Sequence, residues 1–219
     1  MSTDLQIHAI VSMPFGENTY VVWLADRKEA VVIDPGLEPE LILDFLRANE
    51  LDVAAILNTH GHGDHIGGNH AMKSAFPNAP LVIGVNEAHL LTDPTANLTA
   101  FFGAPIISPE ADSLVREGDT IEFGGIPLEV LEVPGHSPGH VVYVYRSEPA
   151  VVFGGDVLFR GGIGRSDFPN SDGALLLNGI RGKLFALRPD TLVYPGHGPV
   201  TTIGFERRSN PFVGDDVIE

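Results

Sequence analysis

Residues 58–68, NTHGHGDHIGG, set three histidines and one aspartate among four glycines. An apolar run, VAAIL at 53–57, precedes the stretch and reads as a buried strand, while HIGGNHAMKSAF after it predicts a helix as far as Pro77. Alternate residues of an extended chain point the same way, so His60 and His62 can approach one ion from one side. Asp64 and His65 come after a bend and address a neighbouring point, which suggests two adjacent ions rather than one. The glycines give the backbone the room, and the φ freedom, to fold four ligands around a small volume. Gly67-Gly68 similarly let the next helix begin close beneath the loop. In a chain of this composition an H-x-H-x-D-H string arises by chance with odds of roughly one in a thousand.

Outward from that stretch the same local setting recurs. His136 in PGHSPGH, Asp156 in FGGD and His197 in PGHG each follow a β run and sit on a glycine-rich turn, where a rigid scaffold displays binding groups. The chain has no cysteine, which excludes disulfides, thiolate ligands and a cysteine nucleophile together and leaves nitrogen and oxygen as the only metal donors. With 13 basic and 29 acidic residues the net charge is −16, which repels a phosphate backbone, so no nucleic-acid partner is expected.

Along its length the sequence alternates strand and helix signals. Runs at 19–24 and 30–34 predict a hairpin, and 39–51 carries the three-and-four spacing of an amphipathic helix. LVIGV (81–85) reads as a strand, NEAHLL (86–91) as a helix, and Asp93–Pro109, punctuated by Pro and Gly, as a mobile loop. A second hairpin turns at Gly124-Gly125, three short β runs follow at 141–145, 150–155 and 191–196, and a helix covers 172–187. VGDDVIE (213–219) reads as an acidic tail. The class is α/β with mixed sheets, and 219 residues suit one domain over 1–219. No apolar run reaches the roughly 18 to 20 residues of a membrane span, and the N-terminus shows no basic or apolar leader; a cytoplasmic protein with no membrane partner is expected.

The THGHGDH string, followed by His136, Asp156 and His197, resembles the metallo-β-lactamase superfamily, and within it the hydroxyacylglutathione hydrolase (glyoxalase II) branch. The resemblance implies a four-layer αββα sandwich with the site at one edge between its sheets. It also implies that His60, His62 and His136 hold one metal, that Asp64, His65 and His197 hold the other, and that Asp156 bridges them. The implied cofactor is two divalent ions, zinc foremost, with iron and manganese also suited to His/Asp ligation. Seven donors around two ions leave positions open for water, as in a catalytic rather than a structural centre. Two ions about 3.5 to 4 Å apart bring its pKa from about 15.7 to about 7, close to 12 kcal/mol less to form hydroxide at neutral pH. That hydroxide bridging the metals would attack a thioester carbonyl, such as that of an S-2-hydroxyacylglutathione, while Asp64 orients it or takes its proton. The substrate partner is then a small-molecule thioester; the residues leave the oligomeric state open.

The chain ends soon after His197, so it resembles the compact bacterial form without the helical C-terminal domain that holds glutathione. Arg165 in GGIGRSDFP stands close enough after Asp156 to reach a substrate carboxylate, a role weighed against an ordinary ion pair. Asp34 in VIDPG is either a turn residue or a hydrogen-bond partner of a ligand histidine; His140 backs the site or is structural; His8, His70 and His89 are ordinary; Phe101-Phe102 suit a lid, an oligomer contact or core filling. A lactonase shares the full ligand set, and a persulfide dioxygenase of the fold would hold a single iron on His60, His136 and Asp156. True β-lactamases of the fold lack an aspartate bridge at the position of Asp156 and are exported. A non-enzymatic di-iron scaffold of this fold would need a flavodoxin-like partner domain.

Overall fold

Successive residues of Glu29–Ile33 enter different cores: Val31 and Ile33 pack on one side, Ala30 and Val32 on the other. The same period-two alternation divides Val141–Tyr145, where Val141 and Tyr143 face inward and Val142 and Val144 face a third core. Strands apolar on both faces demand cover on both faces, and the computed structural model, which describes residues 4–217, supplies it as two stacked sheets with helices outside each.

The first sheet runs in the order β1 (Leu5–Ser12), β2 (Glu17–Leu24), β3 (Glu29–Ile33), β4 (Asp52–Leu57), β5 (Leu81–Gly84), β6 (Ser113–Val115). Its first three strands pair antiparallel and β3 to β6 pair parallel. β7 (Thr120–Phe123), β8 (Ile126–Glu132), β9 (Val141–Tyr145) and β10 (Val151–Gly155) belong to the second sheet. A small hairpin of β11 (Leu158–Phe159) and β12 (Gly162–Ile163) intervenes, and β13 (Leu192–Pro195) and β14 (Thr201–Thr202) complete the sheet in the order β14-β13-β10-β9-β8-β7. β10 and β13 are parallel and the remaining pairs antiparallel.

Between the sheets Tyr20, Leu57, Tyr143 and Phe153 fill the central core. α1 (Pro39–Ala48) and α3 (Asn69–Ala75) cover the first sheet with Ile42, Leu46 and Met72, and the short helix α2 (Gly63–Ile66) lies between them in sequence. α4 (Gly173–Gly179), its π-helical continuation Ile180–Leu184 and α5 (Ile203–Ser209) cover the second sheet with Leu176, Leu184 and Ile203. The layers are helix, sheet, sheet, helix. No helix among the described residues is long and apolar enough to cross a membrane.

Several boundaries differ from the sequence reading. The helix expected from 65 to 76 is broken into α2 and α3 at Gly67-Gly68, and 86–91 forms only a 3-10 turn, Ala88–Leu91. β1 was not foreseen. Its side chains lack a clean alternation, and only Ile10 and Ser12 are buried. Val213 of the expected acidic tail is buried in the third core and Asp215 pairs with Arg207, while residues 218–219 lie outside the described residues. The 93–109 segment holds a 3-10 turn, Thr99–Phe102, and is tied down by Asn97, whose amide donates to the carbonyls of Leu90 and Ile106.

Phe153 packs at a tilt against Tyr20 and Tyr194 at centroid distances of 5.7 Å each. Phe153→Ala is expected to lose about 3 to 5 kcal/mol of stability. The check is urea unfolding: a lower midpoint at unchanged slope.

Candidate metal centre

The carboxyl ends of β4, β8, β10 and β13 open on one rim between the two sheets. β8 and β10 both run antiparallel to β9, and β13 is parallel to β10, so these three strands point the same way. The loop after β4 carries His60, His62, Asp64 and His65; the one after β8 carries His136; Asp156 follows β10 and His197 follows β13. One ligand-type atom from each of His60, His62 and His136 lies within 4.8 Å of the others, and the same holds for Asp64, His65 and His197. Asp156 stands between the groups, with Oδ2 3.5 Å from Nε2 of both His136 and His197 and Oδ1 3.4 Å from His65 Nε2. Asp34, His60 and His65 also cluster within 4.8 Å, but Asp34 is engaged elsewhere.

Both Asp34 oxygens are taken: Oδ1 accepts the Thr59 amide and Oδ2 the Thr59 hydroxyl, each at 2.7 Å. Oδ2 is also 3.1 Å from His65 Nδ1, so that nitrogen carries the proton and His65 Nε2 presents a lone pair. Thr59 has spent its one proton on Asp34 and therefore accepts from His60 Nδ1 at 3.1 Å, which leaves His60 Nε2 bare as well. His136 Nδ1 faces the Arg165 carbonyl at 2.8 Å; a carbonyl only accepts, so His136 too offers Nε2. His62 Nδ1 lies 2.9 Å from that Nε2, a spacing that requires a proton or a cation between them. His60 Nε2, His65 Nε2 and Asp156 Oδ1 are buried with no hydrogen-bond partner. Unpartnered buried acceptors cost on the order of 1 to 3 kcal/mol each, and their place within the two ligand groups and on the aspartate between them fits bound cations.

Burial holds His60 well below the ordinary imidazole range and His62 at about 3, with neighbouring histidines adding to the effect. Burial also lowers His136. These rings are neutral at physiological pH and keep their lone pairs. Burial opposes charge on His65 and His197 as well, but the carboxylates of Asp156 and Asp64 outweigh it and raise both, so these two rings would become ligands by giving up a proton to the cation that replaces it. Burial works against ionising Asp156, yet His65, His136 and His197 hold it below the usual carboxylate range.

The glycines of the histidine loop serve space rather than φ, since none of the four is among the positive-φ glycines. A Cβ on Gly61 would stand 2.4 Å from Leu90 Cβ, one on Gly63 2.0 Å from Thr99 Cγ2, and one on Gly68 2.8 Å from the Gly36 carbonyl. Backbone freedom matters instead at Gly155, φ +46°, where a Cβ would also collide with Thr59 Oγ1 at 2.2 Å. Asp34 adopts φ +51°, a strained position for a non-glycine residue, held by its hydrogen bonds.

Above the cluster opens a cavity of about 390 Å³, lined by Asp64, Asp156, His197 and largely apolar side chains, with Arg165 at its wall. The Arg165 fork is bidentate to Asp167 at 2.9 and 3.0 Å, and its guanidinium lies 4.3 Å from the Phe168 ring centroid. Phe101 and Phe102 are both 66% exposed, which rules out core filling. His140 is fully buried, and its Nε2 accepts the Asp156 amide at 3.0 Å, so it backs the site.

Glu87 escaped the sequence reading because a single glutamate in NEAHLL looks like a solvated side chain. It is fully buried: Oε2 accepts the Gly61 amide at 2.9 Å and Oε1 the Gly139 amide at 2.6 Å, joining the loop of His60 and His62 to that of His136 and His140. Asn58 does similar work, donating to the His65 carbonyl at 3.1 Å while its own carbonyl accepts the Tyr143 hydroxyl. Glu87→Ala strands two buried amides and is expected to destabilise by about 2 to 4 kcal/mol. Hydrogen exchange supplies the check: the Gly61 and Gly139 amides should lose protection more than the sheet amides do.

The sequence pattern of the metallo-beta-lactamase superfamily matches residues 13–197. Hydroxyacylglutathione hydrolase GloC of Haemophilus influenzae is 38% identical over 212 residues, covering 95% of this chain and 98% of its own. Among solved structures, the B3 metallo-beta-lactamase BLEG-1 superposes with TM-score 0.90 at 40% identity over 95% of this chain and 99% of its own. TTHA1623, solved in a di-iron-bound form, gives 0.82 at 38% identity over 94% and 99%. With the fold, the rim of histidines and these likenesses in agreement, the chain belongs to the metallo-beta-lactamase superfamily, whose members include metallo-hydrolases.

Proposed function

We propose that the protein is a dinuclear metal-dependent thioester hydrolase acting on an S-2-hydroxyacyl thiol ester, of which S-2-hydroxyacylglutathione is one member. The observation that carries the reading is the clustering of ligand atoms at the base of the cavity, His60 with His62 and His136 and His65 with Asp64 and His197, each group within 4.8 Å and Asp156 against both. His60, His62 and His136 would hold one cation and Asp64, His65 and His197 the other, with Asp156 shared between them. Bound there, divalent cations supply Lewis acidity toward a carbonyl oxygen and make water acidic enough to react at neutral pH. Zinc and iron both suit the donors, and the di-iron form of TTHA1623 supports iron.

The chain's own residues do the rest. Asp64, partly exposed to the cavity with Oδ2 3.3 Å from His197 Nε2, orients the attacking water and takes its proton. Hydrolysis forms one carbon–oxygen bond and breaks the carbon–sulfur bond; one proton of the water goes to the departing thiolate and the other leaves from the new acid. Water activated at such a centre would make a protein nucleophile unnecessary, in keeping with the absence of cysteine. The likeness to GloC supports a thioester, and the likeness to BLEG-1 makes a β-lactam the comparison substrate.

Asp156→Ala is expected to lower bound metal from two ions per chain to one or none, read by elemental analysis, and to reduce turnover more than about 100-fold; full metal content with full turnover would overturn the assignment. Assayed side by side, a lactoyl thioester should be hydrolysed faster than a lactone or a penicillin. Oxygen uptake on a persulfide with one iron bound would instead favour a dioxygenase.

A further inference from the structure

Resting on the thioester reading, we propose that the thiol arm this cavity accepts is neutral and apolar, selected by an aromatic arch of Phe15 and Phe102, rather than a charged peptide arm. Phe15 stands on the turn between β1 and β2, and Phe102 ends the 3-10 turn Thr99–Phe102. The rings come from segments distant in sequence, are 48% and 66% exposed, and meet edge to face at 5.7 Å. Both line the cavity that holds Asp64, Asp156 and His197. Exposed rings gain from an apolar ligand that covers them, and Leu37, Leu98, Ile106 and Phe159 extend the same apolar wall.

The wall's uncharged polar side chains have their donors engaged. Asn97 gives its amide to the carbonyls of Leu90 and Ile106, and its oxygen accepts the Thr99 hydroxyl at 2.6 Å. Thr99 Oγ1 in turn accepts the Ile106 amide at 2.9 Å. Arg165, the one lysine or arginine among the lining residues, commits Nε and Nη2 to Asp167 and its face to Phe168. Nη1 alone remains. The two carboxylates of a glutathione arm would be desolvated against this wall with too few partners, inside a chain of net charge −16. An alkyl or aryl arm loses nothing there and gains by burial.

The test uses the metal-loaded protein with the S-lactoyl esters of ethanethiol and butanethiol and with S-lactoylglutathione. KM is expected to fall about tenfold from the ethyl to the butyl ester, the gain of burying two methylenes. kcat/KM for the butyl ester should exceed that for the glutathione ester by at least about tenfold. Phe15→Ala with Phe102→Ala should raise KM for the butyl ester about tenfold at nearly constant kcat and leave the glutathione ester unchanged; Phe102→Leu should restore most of the loss. Calorimetry with the matching non-hydrolysable thioethers should rank the two arms in the same order. A glutathione ester turned over as well as the butyl ester, or a double variant without effect on the ratio, overturns this inference while leaving the thioesterase standing. Hydrolysis of none of the three esters overturns both.

Discussion

Three imidazoles in this protein are tied at the back, and two of them, His60 and His65, leave Nε2 without a partner at the front. Thr59 holds Nδ1 of His60, Asp34 holds that of His65, and the Arg165 carbonyl that of His136, so every Nε2 lone pair is turned inward. A neutral imidazole has one proton to give, and fixing where it goes fixes which nitrogen remains to bind. The pocket's low polarity keeps His60, His62 and His136 neutral and so sustains the arrangement. Water would partner those nitrogens in an unfolded chain; burying them unpartnered is unfavourable, and a cation converts that deficit into binding energy.

The rest of the fold follows from the need to bring loops of both sheets to one rim. Asn18 and Tyr20 of the first sheet hold the Pro195 carbonyl at 3.0 and 2.7 Å, just ahead of His197 on the second. Tyr143 of the second sheet reaches back to the Asn58 carbonyl at the head of the histidine loop. Glu87 then ties the Gly61 and Gly139 amides to one carboxylate. Each such bond is worth about 1 kcal/mol net, yet together they hold the ligand atoms to the tolerance that coordination demands. The absence of Cβ atoms at Gly61, Gly63 and Gly68 lets the loop sit against Leu90, Thr99 and the Gly36 carbonyl.

Above this polar floor the cavity changes character. Aromatic and aliphatic side chains make the wall, and the polar groups among them are internally satisfied. A site of this kind divides its labour: the floor fixes the reacting bond and the wall selects what is attached to it. The occupied fork of Arg165 belongs to the second task, and its pairing with Asp167 is why a lone arginine in a sequence is a weak guide to an anionic substrate.

The local pattern of residues determined the elements and the inventory of donors. Alternating valines fixed two-sided strands, and the histidine spacing after VAAIL fixed a ligand loop at a strand end, because both depend on neighbours a few residues apart. The break of the expected 65–76 helix at Gly67-Gly68, the strand at Leu5–Ser12 and the shortened turn at 88–91 were decided by tertiary contacts that override local preference. The back-side partners of His65 and His136, the role of Glu87 and the arch of Phe15 and Phe102 were decided only by folding, since each joins residues 26 to 87 positions apart, whereas Thr59 adjoins His60 in sequence. A side chain's chemistry is written at its own position, whereas the proton it must give up and the solvent it must lose are set by whatever the rest of the chain packs against it.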